Sequence, residues 1–240
     1  AQAPTLIGFG VYIWNSQKTL ELIRALKKIR PDIIIVCGGP EISFYPENHP
    51  LVDAVDYVIR GEADLSFAKL SNELLLQQRP PNKIVVSPLP DVDKLQMPYN
   101  YYNDDDIKNR VVYVEASRGC PFKCEFCLSS LDKKVRNFPL DNFLKELALL
   151  FEKGVRHFKF VDRTFNLHID TSTKILQFFL DRYEPGLFVH FELIPDRLPE
   201  GLRALIQKFP RGALQFEIGI QTFNLKTETL ISRRQDQKKT

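Results

Sequence analysis

Residues 111–127 read Val-Val-Tyr-Val-Glu-Ala-Ser-Arg-Gly-Cys-Pro-Phe-Lys-Cys-Glu-Phe-Cys. The opening stretch, Val111 to Glu115, is rich in β-branched and aromatic residues and reads as a strand. It runs straight into a loop that holds Cys120, Cys124 and Cys127 within eight residues. Gly119 and Pro121 let the chain wrap tightly there. In a parallel α/β sheet, ligands collect beyond the carboxyl ends of the strands, so this loop falls where a site belongs. Cysteines this close together are poorly placed for disulfides, and their spacing suits a metal or cluster. Thiolates hold iron–sulfur clusters, and three of them on about four irons leave one iron open. An open position is what a catalytic metal site keeps. Zinc held by three Cys and one His is the alternative. The spacing departs from the paired Cys-x2-Cys of structural zinc, and the nearest His outside the loop is His157.

Downstream, strand and helix patterns alternate. Residues 141–153 form an amphipathic helix, and Gly154 suits its C-terminal cap. Strands are predicted over 155–161, 187–193 and 213–220, and helices over 171–183 and 199–208. A last helix is predicted from Lys226 to the end of the chain. Residues 111–240 therefore read as four βα units of a partial (β/α) barrel.

Upstream, strands are predicted over 5–12, 33–36, 55–59 and 83–86. The run Ile33-Ile34-Ile35-Val36 has the pattern of a strand buried on both faces. Ser16 is placed to cap a helix with apolar residues at Leu20, Ile23, Leu26 and Ile29. A second helix runs from Gly61 to about Gln78. Residues 1–86 thus read as a Rossmann-like parallel-sheet domain with helices on both faces. Cys37-Gly38-Gly39-Pro40 makes a sharp turn at a strand end, with Cys37 a small buried hydrophobe. Residues 87–110, rich in Pro, Tyr and Asp and without a clear period, read as a linker.

Lys and Arg exceed Asp and Glu by 33 to 30, for a net charge of +3. Such a balance does not point to nucleic acid or an anionic membrane surface. The run Asp104-Asp105-Asp106 and the pair Lys238-Lys239 read as solvated. No apolar run reaches the roughly 18–20 residues of a membrane span. The first residues have neither the basic nor the apolar region of a leader, so a cytoplasmic protein is the expectation. A start without Met is expected of a processed or excised piece.

Cys-x3-Cys-x-aromatic-Cys after the first strand of a βα series resembles the signature of radical S-adenosylmethionine (SAM) enzymes. Residues 160–166, 191–195, 217–222 and 229–233 are similar to segments of those members that carry a cobalamin-binding domain. The resemblance implies a 4Fe–4S cluster on Cys120, Cys124 and Cys127. It implies reductive cleavage of SAM at the open iron, and an electron donor such as flavodoxin or ferredoxin. It sets Phe126 near the adenine, Asp162 near the methionine amino group, Glu192 and Gln221 at ribose or methionine, and Arg233 at the carboxylate.

Residues 5–86 resemble the later part of a cobalamin-binding domain, carried by residues 8–15, Gly38-Gly39-Pro40-Glu41 and residues 59–62. That likeness implies a cobalamin tail close to Gly38 and Gly39, for which a tight turn is the other reading. Tyr12 and Trp14 either wall a pocket or pack. The Asp-x-His-x-x-Gly motif for a lower cobalt ligand is absent from these residues, and His49 is a weak substitute. Three functions follow from the resemblance. The first is cobalamin-dependent methyl transfer, the second radical rearrangement or oxidoreduction without cobalamin, and the third a non-catalytic iron–sulfur or zinc module.

Overall fold

β-Branched residues with no polar break form the central strand of the first unit, and burial on both faces is what they require. A computed structural model describes residues 3–44, 46–132, 134–233 and 235–240, apart from the side chain of Pro46. The chain divides into two compact units, residues 1–95 and 96–240. The first holds β1 (Leu6–Gly10), α1 (Ser16–Ile29), β2 (Ile34–Gly38), α2 (Pro40–Ser43), α3 (Pro50–Ala54), β3 (Tyr57–Arg60), α4 (Asp64–Leu75) and β4 (Ile84–Val86). Its four strands are parallel in the order β1-β2-β3-β4. Alternate residues of β2 serve two cores. Ile35 and Cys37 join Leu20, Ile23 and Leu51 on one face, while Ile34 and Val36 join Leu70 and Leu74 on the other. Helices therefore cover both faces, as the sequence predicts.

The start of α1 differs from expectation. Ser16 is its first helical residue, and Asn15 holds the cap position without a side-chain cap bond. The Asn15 side chain closes the preceding turn: its Oδ1 accepts from Tyr12 N at 2.8 Å and its Nδ2 donates to Gly10 O at 3.0 Å. Ser16 Oγ is shared with His49 Nε2 at 3.2 Å.

The second unit holds α5 (Asp104–Asn109), β5 (Val112–Val114), β6 (Ser117–Arg118), β7 (Arg136–Asn137), α6 (Leu140–Glu152), β8 (His157–Phe160), α7 (Ile169–Asp181), β9 (Phe188–Leu193), α8 (Glu200–Ile206), β10 (Leu214–Ile218) and α9 (Leu225–Leu230). Four parallel strands lie in the order β5-β8-β9-β10, and β6 and β7 form a small antiparallel pair. One strand face buries Val112, Val114, Phe158, Phe160, Val189 and Phe191 against α6, α7 and α8. The aromatic residues interlock; Phe160 meets Phe143 edge-on at 5.8 Å and Phe191 at 4.5 Å. The alternate positions Tyr113, Lys159, His190 and Gln215 form a polar row in register across the other face.

Gly154 ends α6 at φ +94°, and Gly154 N and Val155 N return to Phe151 O and Leu150 O, the predicted cap. Within the stretch expected as linker, Asn103 and Asp106 make a reciprocal capping box for α5. The Asp run is thus the first turn of a helix, where acids complement the N-terminal dipole. Tyr99 is buried in the second unit's core, and its hydroxyl accepts from Glu115 N at 2.8 Å. The helix predicted from Lys226 to the chain's end stops at Leu230. Ser232 follows at φ +53°, a left-handed conformation that turns the chain back. Among the described residues no helix is long and apolar enough to cross a membrane.

Candidate active site

The cysteine loop is closed at its base before any ligand is considered. β6 and β7 pair Ser117 with Asn137 and Arg118 with Arg136, and Phe138 N donates to Ala116 O at 3.0 Å. Gly119 takes φ +91°, and a Cβ there would lie 2.5 Å from Lys134 O, so the turn admits only glycine. Cys120 N donates to Asp132 O at 2.9 Å and Cys127 N to Cys124 O at 3.1 Å.

A cavity of about 410 Å³ lies at the carboxyl ends of the strands. All three cysteines line it, together with Phe126, Glu192, Gln221 and Arg233. Seven of the residues expected from sequence are thus brought together. Glu192, at the end of β9, accepts from Arg163 Nη1 at 3.1 Å. Gln221 is held at φ +70°, and its amide lies over Gly219, where a Cβ would meet Nε2 at 2.8 Å. Arg233 Nη2 donates to Gly219 O at 2.5 Å and Nη1 to Cys124 Sγ at 3.6 Å. Burial pushes the Cys120 thiol up from its ordinary pKa; a bond from Phe122 N and the Arg233 charge act the other way.

Asp162 is elsewhere. Its carboxylate accepts from Ala116 N at 3.0 Å and from Ser117 Oγ at 2.6 Å, and it is not among the residues lining the cavity. At 2 % exposure it clamps the start of the cysteine loop to the end of β8. Burial pushes its pKa up to about 6, against the opposing pull of those two hydrogen bonds. Its neighbours Arg163 and Thr164 face the cavity in its place, as does Glu217 at the end of β10. Sequence reading missed Arg163 and Thr164. The signal was their place in the strand-end segment 160–166: past the end of β8 the chain is no longer a strand, and two adjacent residues reach the cavity together.

In the first unit, Gly39 sits at φ +105°, and a Cβ there would lie 2.6 Å from Val11 O. Gly38 has no such crowding; its nearest neighbour would be Ile59 O at 3.5 Å. The turn is packed onto the end of β1 by Val11 N donating to Gly38 O at 2.7 Å. His49 caps α3, its Nδ1 accepting from Leu51 N at 3.2 Å, and Ser16 takes its other ring nitrogen. Both nitrogens are engaged, which removes the weak case for a cobalt ligand there. Tyr12 and Trp14 stack on one another at 4.6 Å, with Trp14 76 % exposed.

Among the described residues, no three His, Cys, Asp or Glu converge as around a single metal ion. A cubane cluster is wider than one ion and takes each thiolate on a different iron, so three thiols spread over one cavity wall fit it. Residues 114–240, more than half the chain, match the radical SAM superfamily, and the chain belongs to it. Residues 1–71 match the B12 binding domain, so the chain joins a cobalamin-type unit to a radical SAM unit. Membership implies a 4Fe–4S cluster, SAM and a reductant; the B12 match implies cobalamin.

An uncharacterized methyltransferase of Pyrococcus horikoshii, PH0819, is 30% identical over 211 residues, covering 74% of this chain and 44% of that protein. The cobalamin-dependent radical SAM methyltransferase TokK of Streptomyces tokunonensis is 26% identical over 151 residues, covering 52% of this chain and 22% of that one. The chain thus spans less than half the length of either relative. Among solved structures, the radical SAM methyltransferase TsrM of Kitasatospora setae superposes with a TM-score of 0.74 at 16% identity, covering 95% of this chain and 50% of that one. The likeness to TsrM shows the fold, an α/β pair of parallel sheets.

Proposed function

We propose that the chain carries the initiating half of a cobalamin-dependent radical SAM methyltransferase. The observation that supports this most is the meeting of Cys120, Cys124 and Cys127 with Arg233, Glu192 and Gln221 on one cavity. When bound on the three cysteines, the cluster supplies one electron at low potential for cleavage of a carbon–sulfur bond of SAM to give a 5′-deoxyadenosyl radical. The protein's part is to bind and orient. Glu192 and Glu217 offer acceptors for an ammonium or for ribose hydroxyls, and Gln221 offers both donor and acceptor. Phe126, 55 % exposed, offers a flat face for adenine. Arg163 offers a cation for a carboxylate; the Arg233 fork is already bonded to Cys124 Sγ and Gly219 O, which turns its charge toward the cysteine loop. Asp162 acts through the cysteine loop, as a positioning residue rather than a ligand.

In the first unit, Gly38 and the exposed Tyr12 and Trp14 stand near strand ends, where a flat ligand such as cobalamin would be received. A flavodoxin or ferredoxin is the proposed electron donor. The cytosol is the proposed location, since its reducing poise keeps such thiols free.

Anaerobic reconstitution with iron and sulfide is expected to give about four irons per chain, and Cys124→Ala to lose both the iron and 5′-deoxyadenosine formation. Intact iron content in that variant would sink the proposal. Hydroxocobalamin titration separates methyl transfer from the radical readings without cobalamin. A visible-spectrum change on binding is expected, and no change would favour those readings.

A further inference from the structure

The segment that follows α9 is tied to the cysteine loop across more than a hundred residues of sequence. Glu125 N donates to Ile231 O at 3.1 Å, and Ser232 Oγ donates to Glu125 Oε1 at 2.8 Å. Between these bonds the chain bends through Ser232 at φ +53°, a conformation uncommon for a residue with a side chain. Such an outlier persists where its surroundings over-determine it. Here it swings Arg233 back toward the loop, over the ring of Phe122 at 5.9 Å.

The two ends of the guanidinium fork are already committed. Nη2 is spent on Gly219 O, and Nη1 on Cys124 Sγ at 3.6 Å, a normal length for a sulfur acceptor. Arg233 Nε is buried without a hydrogen-bond partner among the described residues. A planar cation fixed in this way does not swing freely to meet a ligand. It does hold a permanent positive charge and an N–H donor against one cluster-ligating sulfur. Hydrogen bonds to the sulfurs and nearby charge set the potential of an iron–sulfur cluster, because reduction adds one negative charge that a cation stabilises.

We propose that Arg233 is an electrostatic tuning residue that raises the reduction potential of the cluster through its bond to Cys124, easing transfer of one electron from a low-potential donor. The proposal rests on the three cysteines holding the cluster. Failure of that reading appears as a wild-type protein that takes up no cluster, whereas failure of this one leaves a cluster whose potential ignores residue 233.

The test is an anaerobic redox titration of the reconstituted protein without SAM, followed by electron paramagnetic resonance of the reduced cluster. Arg233→Gln is expected to keep its iron and to shift the one-electron equilibrium about tenfold toward the oxidised form, about 60 mV more negative. Arg233→Lys, which keeps the charge but not the fork, is expected to shift it less. A wild-type potential in Arg233→Gln, with weakened SAM binding by calorimetry, would overturn the proposal and give the arginine to the ligand's carboxylate. Should Arg233→Gln take up no iron, Arg233→Met, which also removes the charge and the donor, carries the test: a negative shift supports the proposal and an unchanged potential overturns it.

Discussion

Each unit of this chain places cysteine, glycine and proline together at the carboxyl end of a strand, at Cys37-Gly38-Gly39-Pro40 and at Gly119-Cys120-Pro121. The two turns share a left-handed glycine, at φ +105° and +91°, and each glycine is forced by a backbone oxygen within 2.6 Å of a would-be Cβ. Their cysteines behave in opposite ways. Cys37 lies in the strand and faces the core, where burial pushes its thiol up to about 12 and leaves it inert. Cys120 lies past the strand, facing a cavity walled by charged residues from other strand ends. Composition makes a tight turn in both places; whether the cysteine precedes the left-handed glycine, inside the strand, or follows it, past the strand, decides whether the thiol becomes core or ligand.

The comparison is sharpest when both glycines are replaced. Gly119→Ala is expected to have the largest effect. The left-handed backbone disfavours Ala by about 1–2 kcal/mol, and the overlap with Lys134 O adds about 1–3 kcal/mol more. The loop then opens and iron uptake fails, read by iron and sulfide analysis. Gly39→Ala meets a similar overlap with Val11, so the first unit should lose comparable stability. That loss is read by hydrogen exchange of β1 and β2, with iron content unchanged. If Gly39→Ala removes iron as fully as Gly119→Ala does, the two turns are not the separate devices described here.

Next in size is Asp162, whose clamp has no counterpart in the first unit's turn. Its folded pKa, about 6, lies above the ordinary carboxylate value of about 3.9. Below pH 4 both folded and unfolded chains hold the proton. Between pH 4 and 6 the unfolded chain releases it while the folded chain keeps it, so stability falls as pH rises, and above 6 the loss is complete. The full swing is about 2–3 kcal/mol. Asp162→Asn keeps an acceptor for Ala116 N and removes the titration. Denaturant unfolding of the two proteins from pH 4 to 7 should therefore diverge, with the wild type losing ground as pH rises. Parallel curves would mean that the carboxylate is not the buried group described.

These effects also mark what was legible in the sequence. Strand composition and helical spacing located both sheets, because burial on one or both faces writes itself into alternation or its absence. The cysteine loop was legible because its spacing is rare, Phe126 because the family resemblance fixes its place in that loop, Glu192 and Gln221 because they sit at successive strand ends, and Arg233 because it lies just beyond the last of them. Asp162 misled because its strand end is right but its side chain points the other way, toward Ser117. Arg233 was placed at the site, but its bond to Cys124 spans more than a hundred residues and depends on the Ser232 backbone, which no local pattern encodes. Ser16 misled for a simpler reason: several nearby side chains compete for one helix start, and tertiary partners such as His49 choose among them.

The smallest expected effect isolates what crowding contributes. Gly154 has φ +94°, close to that of Gly119, but a Cβ there would meet nothing within 4 Å. Gly154→Ala therefore carries only the backbone penalty, about 1–2 kcal/mol, or about 2–8 °C in Tm for a chain of this size. Iron content and potential should be those of the wild type. The difference between Gly119→Ala and Gly154→Ala then measures the close approach of Lys134 O to the cysteine loop, with the left-handed strain cancelled. If the two variants lose equal stability, the loop's glycine is required by its φ alone, and the carbonyl of Lys134 has room to move aside.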